Sequence, residues 1–346
     1  MKKISFFAAA ALMAAMTFTS CSNETNAIPA EPIPDEPAAA VEVENAQQLV
    51  DAIAAAQDGD EIQLADNAEI VIANPFALTK SISLVGNAEA PAKIIMKKGI
   101  STTFAVSIAN AEIDATELDE NMLSIGGEAP EKFQTIDAIT FDNVKITGLK
   151  KAMFYSGVKN YLIEEFTVNN SIIEVDADVT VFDFTKGSAA EVFSVTGSTL
   201  YKKGEATTKS LYSSQSGQKV TEANNDGKEY TQSFVFENST IVNFAKGKNF
   251  FTHRQNGQKW LSYAAKKCIF VDCGKKGQVI QGMNGGSNSD NPTYAFEYNA
   301  FNFEGADTSA DEAKAEKSFA TVIEFADAEN GDFSQSLVIG DPRWIK

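Results

Sequence analysis

The chain has 346 residues, of which 47 are acidic and 29 are basic, and its formal net charge is −18 at pH 7. This balance disfavours nucleic acid and anionic lipid surfaces as partners, because phosphate contacts require clustered cations. With 44% hydrophobic residues, the chain is long enough to bury one large, elongated core.

The N-terminal residues predict secretion. Two lysines precede an apolar run that ends at Phe18, so residues 1–20 have the features of a signal peptide. The segment Phe18–Cys21 resembles the lipobox of bacterial lipoproteins, which implies that Cys21 becomes a lipidated first residue. The alternative is an ordinary cleaved signal followed by an unrelated cysteine. We expect an outer membrane lipoprotein that faces the cell surface and contacts the membrane only through this anchor.

The next segments predict a tether and a short helix. Residues 21–40 contain four prolines and several acids, as in extended linkers. The folded domain is expected over residues 41–346. Its first element is a helix over residues 45–56, with Asn45 as the N-cap. One face of this helix carries Leu49, Val50 and Ile53. The helix is expected to cover the open end of the strands that follow.

One short phrase recurs between residues 139 and 303, with apolar residues alternating at period two around a turn residue. The turn residues are Asn143, Asn170, Gly197, Asn238, Lys267 and Asn299, at spacings of 27, 27, 41, 29 and 32 residues. Period-two alternation indicates strands, and asparagine and glycine tolerate the left-handed backbone of a tight turn. Recurrence at this spacing is typical of a solenoid. We therefore predict an all-β parallel β-helix with a short N-terminal capping helix.

A second column of strands tracks the first. Its members are Met153–Tyr155, Val181–Asp183, Leu211–Ser213, Phe250–Thr252 and Val279–Gln281. The middle residue of each is expected to face inward and the third to face solvent. Later in the chain, the segment Ser309–Lys317 has a composition that favours a short helix.

The two ends of the domain resemble a known family. Residues 52–64 and 80–86 resemble the opening of the pectin-lyase-like right-handed β-helix superfamily, and residues 330–333 and 340–344 resemble the ending of β-helix lipoproteins of unknown function from gut Bacteroidetes. The resemblance implies a right-handed β-helix. It leaves the function open, since this fold carries lyases, hydrolases, adhesins and binding proteins.

Catalytic signatures are sparse in the sequence. The chain has one histidine and two arginines, and Arg343 lies in the terminal motif, where a structural role is expected. If the protein were a lyase, Arg254 would be the first candidate for the base of a β-elimination, and Ca²⁺ would be the expected cofactor. The acidic loop Asp114–Glu120 could hold such a cation, although a solvated loop is the simpler interpretation. Cys268 and Cys273 are expected to be buried structural thiols.

A candidate ligand-binding edge precedes and includes the second strand column. Its basic members are Lys151, Lys209, Lys248 and Lys276, and its polar or aromatic members are Tyr155, Asp183, Gln281, His253, Arg254 and Trp260. Stacked coils would bring the lysines into a row, which favours an anionic glycan, whereas lysines chosen for solubility are the alternative. We expect non-catalytic carbohydrate binding in glycan capture, with a polysaccharide and surface glycan-uptake proteins as partners. The alternatives are a polysaccharide lyase acting on uronate glycans and an adhesin or structural surface protein.

Overall fold

The computed structural model describes residues 42–215, 220–248, 250–254, 260–274, 293–302, 315–316 and 319–346. One α-helix, α1 (Ala46–Ala55), precedes 27 strands that form three parallel sheets. Sheet 1 contains β1 (Asp60–Gln63), β4 (Ile82–Val85), β7 (Val106–Ala109), β10 (Gln134–Asp142), β13 (Tyr161–Asn169), β16 (Ala189–Thr196), β19 (Thr231–Glu237), β22 (Trp260–Lys266), β24 (Thr293–Glu297) and β26 (Ala315–Glu316). Sheet 2 contains β2 (Glu69–Ile72), β5 (Ala92–Met96), β8 (Ala111–Asp114), β11 (Lys145–Leu149), β14 (Ile172–Val175), β17 (Thr199–Lys202), β20 (Thr240–Val242), β23 (Ile269–Val271), β25 (Ala300–Asn302) and β27 (Phe319–Ala320). Sheet 3 contains β3 (Phe76–Leu78), β6 (Ile100–Thr102), β9 (Leu123–Ile125), β12 (Phe154–Tyr155), β15 (Phe182–Phe184), β18 (Tyr212–Gln215) and β21 (Phe251–Arg254).

The order of strands within each sheet defines a parallel β-solenoid. From β1 to β23, each strand pairs with the strand three positions later or earlier in the chain. Within the described residues β21 is the last strand of sheet 3, and the predicted strand Val279–Gln281 lies outside them. Seven successive coils, coil 1 (β1–β3) to coil 7 (β19–β21), each contribute one strand to every sheet. Sheets 1 and 2 then continue through three further strands each. The predicted parallel β-helix is therefore confirmed.

The predicted turn residues have the backbone that the repeat requires. Positive φ values between 47° and 59° occur at Asn110, Asn143, Asn170, Gly197, Asn238, Lys267 and Tyr298. The last prediction was wrong by one residue. Glu297 pairs with Lys266, so Tyr298 takes the turn position and Asn299 is buried instead.

A ladder of side-chain hydrogen bonds explains what Asn299 does. The residue after each of these turns is buried. After four of them this residue carries a side-chain oxygen, which accepts a hydrogen bond from the backbone N–H one coil earlier: Val144 to Ser171 (3.1 Å), Ser171 to Ser198 (3.0 Å), Ser198 to Ser239 (3.3 Å) and Cys268 to Asn299 (2.9 Å). These bonds satisfy backbone donors that water cannot reach. Asn299 therefore substitutes for the serine of other coils.

The core changes from aliphatic to aromatic along the solenoid. The first three coils bury mainly isoleucine, leucine and valine. Aromatic residues enter the core in coil 4 with Phe141 and Phe154, and in coils 5 to 7 the inner column of sheet 1 carries Phe166, Phe193 and Phe234 in register. Their rings contact inward rings from sheet 3, such as Phe182 against Phe193 at 4.8 Å between centroids. Stacked coils thus share one continuous core.

Helix α1 covers the first coil. The Asn45 side chain accepts hydrogen bonds from the backbone of two first-turn residues at 3.1 Å. At the other end, the Lys80 ammonium donates to the Ala54 carbonyl at 2.8 Å. Leu49 and Ile53 pack into the main core. Val50 was predicted to share their face, but it is 48% exposed. The buried face of the helix is therefore narrower than the run of apolar residues in its sequence.

Two further sequence predictions meet different outcomes. Cys268 and Cys273 are buried free thiols, as expected, and burial raises the pKa of each to about 12. Within Ser309–Lys317, Ala315 and Glu316 form β26 rather than a helix, and the remaining residues lie outside the described part. None of the helices in the described ranges has the length and apolar content needed to span a bilayer.

The C-terminal strap, residues 321–346, packs against the outer face of sheet 2. Phe333 is fully buried and contacts the Tyr201 ring at 4.8 Å between centroids. The strap ends in a buried polar clamp. Asp341, which is fully buried, accepts from the Thr199 hydroxyl at 2.7 Å and from Arg343 Nε at 3.0 Å. The structural role predicted for Arg343 is therefore confirmed.

Candidate functional site

The outer face of sheet 3 carries one column of residues in register across six coils. Its members are Ala77, Ser101, Ser124, Tyr155, Asp183 and Ser213. Tyr155, Asp183 and Ser213 are among the outward positions predicted from the sequence, and the backbone of Thr252, another of them, continues the register in coil 7. Tyr155 and Asp183 are half-buried, and their strand neighbours Phe154 and Phe182 are fully buried. Ser213 is only 9% exposed, because its small side chain lies between neighbouring strands.

A cleft of about 510 Å³ lies over the part of this column that belongs to coils 1 to 4. Its lining residues are Pro75, Phe76, Ala77, Gly99, Ile100, Ser101, Glu120, Asn121, Ser124, Tyr155 and Gly157. Small side chains from coils 1 to 3 form its floor, and the larger Tyr155 side chain rises from the next coil. The cleft therefore combines the aromatic rings of Phe76 and Tyr155 with hydroxyl, amide and carboxylate groups.

Hydrogen bonds and glycines fix the walls of the cleft. Glu120 Oε1 accepts from the Gly99 N–H at 2.7 Å, and Asn121 Oδ1 accepts from the Ala152 N–H at 3.2 Å. At Gly157, where φ is 58°, a Cβ atom would overlap the carbonyl oxygen of residue 125 one coil below. Neighbouring coils thus approach closely here. The polar groups of the walls are positioned before any ligand arrives.

The predicted lysine row has a counterpart in the register of sheet 3. Lys151, Lys209 and Lys248 are exposed, and each lies three residues before the first paired inward residue of its strand. Lys151 directly precedes Ala152, whose backbone N–H bonds the wall residue Asn121, but Lys151 itself is not one of the residues that line the cleft. Lys276 lies outside the described residues.

Coil 5 interrupts this row, because the position equivalent to the lysines is Val179 and the residue before it, Asp178, is an acid. The Asp178 carboxylate accepts hydrogen bonds from the Thr207 hydroxyl and from the Thr208 N–H. These bonds, chiefly the one from Thr207, together with the positive charges of Lys209 and Lys202, lower the pKa of Asp178. The lysine edge is therefore mixed in charge rather than continuously basic.

The other sequence candidates lie farther along the same solenoid or outside the described part. His253 and Arg254 are on β21, paired with Ser214 and Gln215 of β18, and Trp260 begins β22. Only the backbone is described at these three positions. Gln281 and Cys21 lie outside the described residues. Among the candidates, the structure thus brings Tyr155 to the cleft and places Asp183 one coil above.

The acidic loop that could have held a cation is paired with lysines from the preceding coil. Three ion pairs join Lys93 to Asp114 (3.1 Å), Lys97 to Glu117 (3.0 Å) and Lys98 to Asp119 (3.7 Å). Within the described ranges, no group of three or more His, Cys, Asp and Glu side chains is arranged to hold a metal ion. The pairing neutralises much of the loop's charge.

Sequence analysis did not identify the residues that coils 2 and 3 contribute to the cleft. Ser101 and Ser124 each follow an inward apolar residue, as Tyr155 does, but they carry no aromatic or charged group that marks a site. Glu120 was considered only as the last residue of an acidic loop, and Asn121 was not considered. The signal that could have found them is the continued register of the second strand column into coils 2 and 3.

Comparison with known proteins gives one match. A family model described as a domain of unknown function, DUF4957, matches residues 68–203. The matched segment runs from the start of sheet 2 through β17, so it includes every residue that lines the cleft, and Asp183. A search of curated proteins found none that matches this chain.

The outer face of sheet 1 is acidic, and this has a measurable consequence. Glu164 and Glu191 occupy equivalent positions on β13 and β16, between paired residues of the two strands. Burial, followed by the charge of Glu164, raises the pKa of Glu191 above its ordinary value of 4.5. The carboxylate form is therefore less favourable in the folded protein than in the unfolded chain.

Replacing Glu191 with glutamine is expected to raise the free energy of unfolding at neutral pH. Because the pKa of Glu191 is higher in the folded protein, protonation of this carboxyl stabilises the folded state. This stabilisation is fully present below pH 4.5 and is lost as pH rises through the folded-state pKa. The gain should therefore disappear below pH 4.5. Urea unfolding at both conditions measures it, with the exposed Glu165→Gln as control. A gain that persists at the lower pH would contradict this account.

Proposed function

We propose that this protein binds carbohydrate without cleaving it, through the cleft on the outer face of sheet 3. The observation that carries the proposal is the half-buried ring of Tyr155 beside a floor of small hydroxyl side chains. Pockets that bind small molecules combine apolar surface with a few well-placed polar groups. An aromatic ring can stack on a sugar face, while serine, asparagine and glutamate side chains bond its hydroxyls.

The shape of the cleft favours an extended ligand. Neighbouring parallel strands are about 4.8 Å apart, so the column from Ser101 to Asp183 spans three spacings, or about 14 Å. A glycan lying along this column would contact Ser124 and Tyr155 on the way. The exposed Lys151, which is next in the chain to Ala152, would meet carboxylate or sulfate groups on a glycan that extends beyond the cleft.

The proposed setting is the cell surface. The lipobox-like sequence at Cys21 and the proline-rich segment after it support a lipid anchor followed by a spacer, and the resemblance of the domain ends supports a place among pectin-lyase-like lipoproteins. A surface binder of this kind would pass glycan to neighbouring uptake proteins. Cell fractionation tests the anchor, which requires the protein in the outer membrane fraction rather than free in the medium.

The binding experiment is affinity electrophoresis on a panel of neutral and acidic polysaccharides. The wild-type protein should be retarded by at least one of them, and Tyr155→Ala should weaken that binding about tenfold. Aromatic contacts contribute about 0.5–1.5 kcal/mol beyond the buried area, and about 1.4 kcal/mol corresponds to a factor of ten. Tyr298→Ala, which removes an exposed tyrosine outside the cleft, is the matched control.

Each contrary outcome has a clear meaning. Equal loss in both variants, or no loss in either, would remove Tyr155 from the site. Growth of ultraviolet absorbance from unsaturated uronates would instead show a lyase, with Arg254 as the first residue to replace. No retardation by any polysaccharide would favour an adhesin or a structural surface protein.

A further inference from the structure

A second cleft lies around the corner from the first, where the chain passes from sheet 3 to sheet 1. Its volume is about 450 Å³, and it is lined by Ser81, Thr103, Phe104, Ala105, Phe133, Gln134, Thr135, Ile136, Asp137 and Asp226. Thr103 of this cleft and Ser101 of the first are only two residues apart in the chain. The two clefts are nevertheless lined by different residues, and their chemistry differs.

Phe104 gives the second cleft a fixed aromatic surface. Its ring is 37% exposed, although it belongs to the apolar residues that a core normally takes. The buried hydroxyl of Thr102 holds the turn, since it donates to the Phe104 carbonyl at 2.8 Å and accepts from the Phe104 N–H at 2.9 Å. The ring is therefore presented to solvent by a hydrogen-bonded turn at the end of β6.

Two loops form the facing wall. The Phe133 N–H donates to the Asn224 carbonyl at 2.9 Å, and the Lys132 ammonium pairs with Asp226 at 3.0 Å. Phe133 is also buried in a small cluster with Val220 and other apolar residues from both loops and sheet 1. The concavity thus depends on packed contacts between segments that are far apart in sequence.

The charge of the second cleft is negative. Asp137 and Asp226 line it, and Lys132 pairs with only one of them. Asp137 also stands at the base of an acidic column on sheet 1, because pairs on either side place it level with Glu164, and Glu164 level with Glu191. A uronate or sulfated sugar would be repelled here, and a cation would be attracted.

We infer that the second cleft binds a sugar residue that carries a free ammonium group, with the sugar face on Phe104 and the ammonium beside Asp137. A cation close to an aromatic face is further stabilised by the ring quadrupole. The inference extends the proposed carbohydrate binding to another cleft and another charge class. The two clefts share only the class of ligand and are lined by different residues, so variants can distinguish binding at one from binding at the other.

The test compares two oligosaccharides that differ in charge but share their backbone. Glucosamine tetramer and N-acetylglucosamine tetramer are titrated into the full chain by calorimetry, at mildly acidic pH and at low and high salt. Wild-type protein should bind the glucosamine tetramer about tenfold more tightly, a difference of about 1.4 kcal/mol, and salt should reduce this preference.

Three variants locate the binding. Phe104→Ala should weaken both tetramers, Asp137→Asn should weaken only the glucosamine tetramer and lower its salt dependence, and Tyr155→Ala should leave both unchanged. Circular dichroism confirms that each variant is folded. Equal binding of the two tetramers, no binding of either, or an unchanged Asp137→Asn variant would overturn the inference. A loss with Tyr155→Ala alone would assign these ligands to the first cleft and overturn it as well.

Discussion

Replacing Arg343 with alanine is expected to lower the free energy of unfolding by about 3 kcal/mol. The guanidinium donates to backbone carbonyls of Asn170, Ser171 and Gly197 at 2.8–3.1 Å, and it pairs with Asp341. Asp341 is fully buried, so its carboxylate would lose its cationic partner. Removing one member of a buried pair costs about 3–5 kcal/mol, and the lower end applies because Arg343 is 35% exposed.

A double variant separates the cost of leaving Asp341 unpaired from the cost of losing the other contacts of Arg343. If the cost of Arg343→Ala comes from the stranded carboxylate, then Arg343→Ala combined with Asp341→Asn should recover part of the lost stability. Urea unfolding monitored by circular dichroism measures both variants. A loss below about 0.5 kcal/mol, the range of ordinary surface substitutions, would show that the clamp does not hold the strap.

Phe166→Ala should reduce the free energy of unfolding by about 3–5 kcal/mol. The Phe166 ring lies within 6.3 Å, centroid to centroid, of five others: Phe141, Phe154, Phe182, Phe184 and Phe193. These rings come from coils 4, 5 and 6. The substitution therefore leaves a cavity where three coils meet, and the closely packed neighbours can close it only in part.

Phe104→Ala is the matched control for this core substitution, because the same side chain is removed from an exposed position. Its effect on unfolding should be small, within the range of surface substitutions. Phe166→Leu should lie between the two, since it keeps most of the buried apolar volume. Similar losses for Phe104→Ala and Phe166→Ala would contradict the aromatic core described for coils 4 to 6.

The repeat could be predicted from sequence because both of its columns obey simple rules. A left-handed turn restricts the choice of residue at positions such as Asn143 and Gly197, and inward strand positions must be apolar. The register then follows, and the observed pairs Phe154 with Phe182 and Phe182 with Tyr212 match it. The preference for asparagine or glycine at the turn fails at Tyr298, where a tyrosine adopts the left-handed backbone.

The site was harder to predict because outward positions follow no such rule. Tyr155 was identified from its ring, whereas Ser101 and Ser124 matter only because stacking places them beside it. The strap was also beyond pattern reasoning. Arg343 meets Asn170 across 173 residues of sequence, and local periodicity carries no information about such a contact.

The most direct test of carbohydrate binding is a crystal structure of the protein with an oligosaccharide from the polysaccharide that retards it most. We expect sugar density across the outer face of sheet 3, with one ring stacked on Tyr155 and hydroxyls bonded to Ser101, Ser124 or the wall residues Glu120 and Asn121. Density on another face, with the cleft beside Tyr155 empty, would contradict the proposed site.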